Sequence, residues 1–180
     1  GARAGGTANP EEGRRGGQPR LGNARIGPNE KLRAAIEKTN AQIKASAADM
    51  HSGKIKAANG DRFAHLLWIG IGGSALGPQF IASALGSVSD PMDIHFFDNT
   101  DPDGFDRVLD KIGNELGKTL ALVISKSGGT KETRNGMLEA EARFAKSGLQ
   151  FAKQAVAVPG IEHDPDCYAT TTGCLARFRL

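Results

Sequence analysis

His65-Leu66-Leu67-Trp68-Ile69-Gly70-Ile71-Gly72-Gly73-Ser74-Ala75-Leu76-Gly77-Pro78, residues 65–78, passes from an unbroken apolar run into a glycine-rich turn and on into a helical pattern. A run of this length, HLLWIGI over 65–71, bounded by glycine, reads as a strand buried on both faces. The pattern after the turn continues as a helix to about Leu85. The same unit recurs downstream. Ile94 to Phe97 (IHFF) is a second strand, and Asp98-Asn99-Thr100-Asp101-Pro102 is a turn opening a helix that ends near Gly117. Thr119 to Ile124 (TLALVI) is a third strand. Ser125-Lys126-Ser127-Gly128-Gly129-Thr130 then leads into a helix from Lys131 to about Lys146, and Ala155 to Val158 (AVAV) is a fourth strand. Strands alternating with helices predict an α/β fold with a parallel sheet covered on both faces.

Upstream, Leu32, Ile36, Ile43, Ala47 and Met50 recur at helical intervals between Pro28 and Gly53, which predicts one long amphipathic helix over 29–52. Residues 1–28 hold eight of the 24 glycines, three prolines and no aromatic residue, the composition of a loose arm with too little apolar surface for a core. After Pro159 no period is sustained, and residues 159–180 read as an irregular tail or a sheet edge. At 180 residues the chain has room for a single domain, over 29–158, between these two ends.

Charge and cysteine usage exclude several classes. The net charge of +3 sits in residues 1–25, where five arginines face Glu11 and Glu12, and the remainder carries 18 basic and 18 acidic side chains. The folded part therefore presents no basic stripe, and no nucleic-acid partner is expected. No apolar run approaches 18 residues, so no membrane span is expected either. The start lacks the apolar stretch of a secretory signal. It is Arg-containing and poor in acids, like an organelle transit peptide, but has no serine and no amphipathic period. Two cysteines, Cys167 and Cys174, fit a reducing compartment, which places the protein in the cytoplasm, with a plastid as the alternative. Their spacing of seven, near His163 and Asp166, matches no common zinc pattern, so no metal site is expected.

Two loops carry the chemistry, both at the carboxyl ends of expected parallel strands, where open α/β sheets bind ligands. In Gly70 to Pro78, glycines let backbone N–H groups approach an anion, a helix N-terminus adds partial positive charge, and the Ser74 hydroxyl can donate. In Ser125 to Thr130, three hydroxyls, several N–H groups and the Lys126 ammonium fall within six residues. Each loop alone has a bland reading as a tight connection. Gly70-x-Gly72-x-x-Ala75 also satisfies a dinucleotide pattern, with Asp98 at the end of the next strand as its ribose ligand. A dinucleotide site needs no second hydroxyl-rich nest, however, and donors at this density suit one terminal phosphate. SKSGGT lacks the Gly-x-x-x-x-Gly-Lys-[Ser/Thr] frame, which excludes a P-loop. Glu132, near a helix start, reads as an acid that favours the helix dipole rather than as a base. His65 and His95 border or lie in apolar strands and read as structural, and Trp68 reads as core.

Gly70 to Pro78, Asp98 to Pro102 (DNTDP) and Ser125 to Gly136 (SKSGGTKETRNG) together resemble the glucose-6-phosphate isomerase family, in its bacterial or plastid-like version, over about Lys31 to Val158. The resemblance implies a flavodoxin-like sugar-isomerase (SIS) domain, with a parallel sheet of four to five strands between helices and one long helix leading in. It implies that Gly73 and Ser74 of the first loop, and Ser125, Lys126, Ser127 and Thr130 of the second, hold the phosphate of glucose 6-phosphate or fructose 6-phosphate, with no metal or cofactor and a homo-oligomer for the full-length family. The family's base glutamate, ring-opening histidine, catalytic lysine and enediolate-stabilising arginine lie in a second sugar-isomerase domain and have no counterpart here. No catalytic residue is therefore expected in this chain, which resembles a fragment. Gly173 to Phe178 (GCLARF) resembles the segment leading to that arginine, and residues 8–14 (ANPEEGR) look family-like, whereas Arg15 to Gly22 depart from the pattern. Domains of this type also act as non-catalytic sugar-phosphate sensors fused to a DNA-binding element, but residues 1–28 show no helix-turn-helix.

Overall fold

The computed structural model describes residues 30–160 and 173–178. The arm 1–28, Asn29, and the segment holding His163, Asp166 and Cys167 lie outside the described residues. By internal contacts the chain divides into two units, residues 1–41 and 42–180. The described part of the first is helical and belongs to α1 (Glu30–His51), which continues into the second unit.

The second unit is a five-stranded sheet in which every pairing is parallel. Its strands are β1 (His65–Ile69), β2 (Asp93–Phe97), β3 (Thr119–Ser125), β4 (Ala155–Pro159) and β5 (Ala176–Arg177), in the order β2-β1-β3-β4-β5. That order is the flavodoxin-like one, whose topological switch point lies between β1 and β3. The connecting helices are α2 (Leu76–Leu85), α3 (Pro102–Ile112) and α4 (Lys131–Lys146).

Side chains alternate across the strands and feed two apolar clusters. Leu67 and Ile69 of β1, with Ala121 of β3, meet Phe105 and Leu109 of α3 and Met137 and Phe144 of α4. Gly136 lets α4 lie close, since a β-carbon there would come 3.3 Å from the Ile69 side chain. On the other face Leu120 and Val156 pack with Met50, Phe63, Leu66 and Leu122. Helix α2 contributes no buried residue, and Leu76, Phe80, Ile81 and Leu85 are all more than half exposed.

Three features differ from the expectation. Strand β1 stops at Ile69 rather than Ile71, because the Gly70 N–H still bonds to Phe97 O but the chain then turns into a single 3₁₀ turn at Gly72–Ser74. The helix expected to reach Gly117 ends at Ile112. Gly113 takes a positive φ of 58°, and residues 113–118 follow as a 3₁₀ segment. Trp68 is half-buried rather than core, because its indole N–H reaches a loop carbonyl described below.

Two buried polar groups organise the end of the sheet opposite the loops. Gln154, fully buried, turns its amide NH₂ toward the carbonyls of Leu116, Gly117 and Thr119, at 3.1, 3.3 and 2.8 Å. Carbonyls only accept, so this end of the amide must be the nitrogen. Gln154→Leu keeps the volume and removes the donor from these carbonyls, of which Leu116 O retains the Thr119 N–H, and is expected to lower stability by about 1–3 kcal/mol. A denaturation midpoint equal to the parent's would contradict this assignment.

His65, the other group, lies between His95 Nε2 (3.2 Å from Nδ1) and Glu115 Oε2 (3.0 Å from Nε2), with Asp93 at 3.8 Å. The Glu115 carboxylate can only accept, so Nε2 donates to it, while Nδ1 faces His95 Nε2. Both histidines are thus engaged with each other and with carboxylates at the end of the sheet away from the loops. The Lys118 ammonium, then the His65 imidazole, hold Glu115 down to about 2. Burial, then the nearby His65, lowers His95 below its usual value, against a smaller opposing pull from Asp93 and with a further push from Lys111. A histidine with a lowered folded pKa binds fewer protons folded than unfolded, so its contribution falls as pH drops below about 6.5. The Glu115 contribution is lost separately, from about 4.5 downward. Urea midpoints should therefore fall between pH 7.5 and 5.5, and His95→Gln should flatten that limb. A limb of unchanged slope in the variant would refute the attribution.

Candidate functional site

The switch point brings the two loops side by side. Ile69 of β1 is in register with Val123 of β3, and a β-carbon on Gly70 would come within 3.4 Å of the Ile124 carbonyl. The first loop leaves β1, and the second joins β3 to α4.

In the second loop the hydroxyls converge. Ser125 Oγ and Ser127 Oγ each lie 3.3 Å from Thr130 Oγ1, and Ser127 Oγ also accepts the Gly129 N–H at 3.3 Å. Gly128 makes this return with a φ of +71° and donates its N–H to Ser125 O. Thr130 occupies the N-cap of α4 but does not cap it, having turned its hydroxyl to the two serines. Arg134 N–H, bonded to Thr130 O, starts the helical ladder. The N–H groups of Lys131, Glu132 and Thr133 take no partner among the described residues and open toward the loop with the positive end of the helix dipole. Lys126 is exposed and its ammonium makes no ion pair among the described residues, while its carbonyl accepts the N–H of Gly160 at 3.1 Å. A β-carbon on Gly160 would overlap that carbonyl, so the glycine after β4 is what lets the loop sit there.

The first loop supplies less than the residue types promise. Ser74 N–H is spent on Ile71 O at 3.1 Å, and Ala75 N–H on Gly72 O at 3.0 Å. Among the described residues this leaves the Gly73, Leu76 and Gly77 N–H groups and the Ser74 hydroxyl without partners. Gly72, at φ +55°, makes the turn.

Asp98, the ribose ligand of the dinucleotide alternative, is already engaged. Its Oδ2 accepts from Gln79 Nε2 at 2.6 Å and its Oδ1 from Asn99 Nδ2 at 2.8 Å, tying the end of β2 to α2. Gln79, Trp68 and Gly160 around the loops are not marked as site residues by their types; Gln79 and Gly160 act through contacts from distant positions in the chain, and Trp68 reaches Ser74 from six residues before it. No histidine, aspartate or glutamate hydrogen-bonds to any of the loop hydroxyls among the described residues. The arrangement offers several short donors, and among the described residues no carboxylate or imidazole hydrogen-bonds to them.

The chain matches the family model "Phosphoglucose isomerase" over residues 26–162. It is 53% identical over 98% of its length to glucose-6-phosphate isomerase of Geobacter sulfurreducens, and 51% identical over 98% to that of Synechococcus elongatus, covering 34% of each. It thus spans about a third of the length of these relatives. Among solved structures, a glucose-6-phosphate isomerase from Chlamydia trachomatis superposes with a TM-score of 0.71 at 28% identity, over 89% of this chain and 30% of that one. A hypothetical protein from Thermus thermophilus shares the fold, with a TM-score of 0.58 at 24% identity over 94% of this chain and 38% of its own. With the family model spanning both loops and strands β1 to β4, the chain belongs to the phosphoglucose isomerase family.

Proposed function

We propose that the two loops bind the phosphate of glucose 6-phosphate and fructose 6-phosphate, and that the chain is the phosphate-anchoring part of an aldose–ketose isomerase. The observation that supports this best is the convergence of Ser125, Ser127 and Thr130 hydroxyls at the uncapped N-terminus of α4, at the β1/β3 switch point. A sugar phosphate carries about −1.5 to −2 charges at pH 7 and presents three acceptor oxygens. Three hydroxyls, the free α4 N–H groups, Gly73 N–H, Ser74 Oγ and the Lys126 ammonium match that demand for donors.

The reaction proposed for the whole protein moves a proton between C1 and C2 of the opened sugar through an enediolate, without metal or cofactor. In it these loops orient the substrate, so that a base elsewhere in the polypeptide meets the carbon-bound proton. A homo-oligomer in the cytoplasm is the assembly we infer for that whole protein, in keeping with its relatives being glucose-6-phosphate isomerases. No helix among the described residues is long and apolar enough to cross a membrane.

Calorimetric titration of the purified chain discriminates. Glucose 6-phosphate is expected to bind saturably and free glucose to give no heat of binding. Comparable affinity for the two sugars would remove the phosphate from the account.

A further inference from the structure

Trp68 is the only tryptophan in the chain, and its place is unusual for a residue in the middle of a buried strand. Its neighbours Leu67 and Ile69 point into the α3/α4 core, so the indole projects from the other face, where its ring lies 6.1 Å from that of Phe96. From there the indole Nε1–H crosses the end of the strand and donates to the carbonyl of Ser74 at 2.8 Å. Ser74 is held from a second side. At Gly70 a β-carbon would stand 3.2 Å from both Ser74 Cβ and Ser74 O, so the loop folds back onto a site that only glycine leaves open. A third hold is the Ser74 N–H bond to Ile71 O.

The peptide held in this way is the one that launches α2. Ala75, the N-cap of that helix, has no side chain with which to cap it, so the orientation of the first turn depends on the Ser74–Ala75 peptide. The Ser74 hydroxyl and Gly73 N–H, left without partners among the described residues, are carried on the same rigid turn.

We propose that Trp68 is a positioning residue of the phosphate site, its indole N–H fixing the Ser74 carbonyl so that the Ser74 hydroxyl and the Gly73 N–H face the second loop. This rests on reading the two loops as the phosphate site. Tryptophan is not required for packing alone here, because a phenylalanine would fill much of the same half-buried space; what the indole adds is one directional donor. Because that donor is bonded to the loop backbone, a ligand that draws on Ser74 or Gly73 must also perturb the indole proton.

The test is a ¹H–¹⁵N titration of the 180-residue chain, in which a single tryptophan gives a single indole resonance. On adding glucose 6-phosphate that resonance should shift saturably, with the same midpoint as the backbone amides of Gly73 and Gly129. A second sample carries 3-benzothienylalanine at position 68, which keeps the bicyclic ring and lacks the N–H. It should melt with the parent yet bind glucose 6-phosphate about fivefold more weakly, the loss expected for one neutral hydrogen bond. Trp68→Phe should weaken binding at least as much. An indole resonance that stays fixed while Gly129 shifts, or a benzothienyl variant binding as tightly as the parent, would overturn the positioning role. If no amide in either loop responds, the phosphate reading falls first, and this inference with it.

Discussion

Purified alone, the 180-residue chain is expected to interconvert glucose 6-phosphate and fructose 6-phosphate at least about 10⁴-fold more slowly than its full-length relatives. Isomerisation needs a base within hydrogen-bond reach of the proton on carbon and donors aimed at the developing enediolate oxygen, each worth roughly 10² or more in rate. Neither is in evidence beside the loops among the described residues. Asp98 is bound up with Gln79 and Asn99, and the two histidines that hydrogen-bond each other lie at the opposite end of the strands, about 13 Å away along a five-residue strand. Glu132 is the only carboxylate in the second loop or the first turn of α4, and it is exposed. An assay coupled to a dehydrogenase gives the answer directly. Turnover above that of a Ser125→Ala/Ser127→Ala control would show that this chain holds a base after all, and Glu132→Gln would identify it.

Thr130→Val should raise the dissociation constant for glucose 6-phosphate by about 10- to 150-fold, the equivalent of one charge-assisted hydrogen bond of roughly 1.5–3 kcal/mol. Thr130 matters most because its Oγ1 is the point on which Ser125 and Ser127 both converge. Valine is nearly isosteric and removes only the hydroxyl, whereas Thr130→Ser restores it and should bind close to the parent. Ser127→Ala should fall between them, since it deletes one donor and also releases the Gly129 N–H it now holds. Calorimetry on variants matched for melting temperature checks the series. Equal affinity in Thr130→Val and Thr130→Ser would show that the hydroxyl cluster supports the loop without meeting the ligand.

Much of this architecture is legible in the residues because local and long-range preferences agree. Strand β4 and helix α4 emerge within a residue of where apolar runs and glycine punctuation put them, as does β3. The failures have a common cause in tertiary contacts. Ile71 has a strand-like side chain, but the turn at Gly72 removes it from the ladder. The segment 113–118 has the composition of a helix end, yet the positive φ of Gly113 and the pull of Gln154 on three carbonyls make it a 3₁₀ connection. Ala176–Arg177 is too short for any period to be seen and becomes a strand only by docking on β4. The hydroxyls of Ser125, Ser127 and Thr130 were readable as a set from their spacing. Their gathering around Thr130, and the loss of the Ser74 N–H to the loop itself, depend on backbone geometry that residue types do not encode. The apolar face of α2 shows the same limit. Its sequence promises burial, and in this chain it stays exposed.

The central claim, that the two loops form one phosphate site, is tested most directly by a crystal structure of the chain with glucose 6-phosphate. The phosphate group is expected at the N-terminus of α4, its oxygens within about 3 Å of the hydroxyls of Ser125, Ser127 and Thr130 and of a donor from the Gly73–Ser74 turn, with the sugar ring outside the carboxyl ends of β1 and β3. A phosphate seated anywhere else on the chain, with these hydroxyls still bonded only to one another, would contradict it.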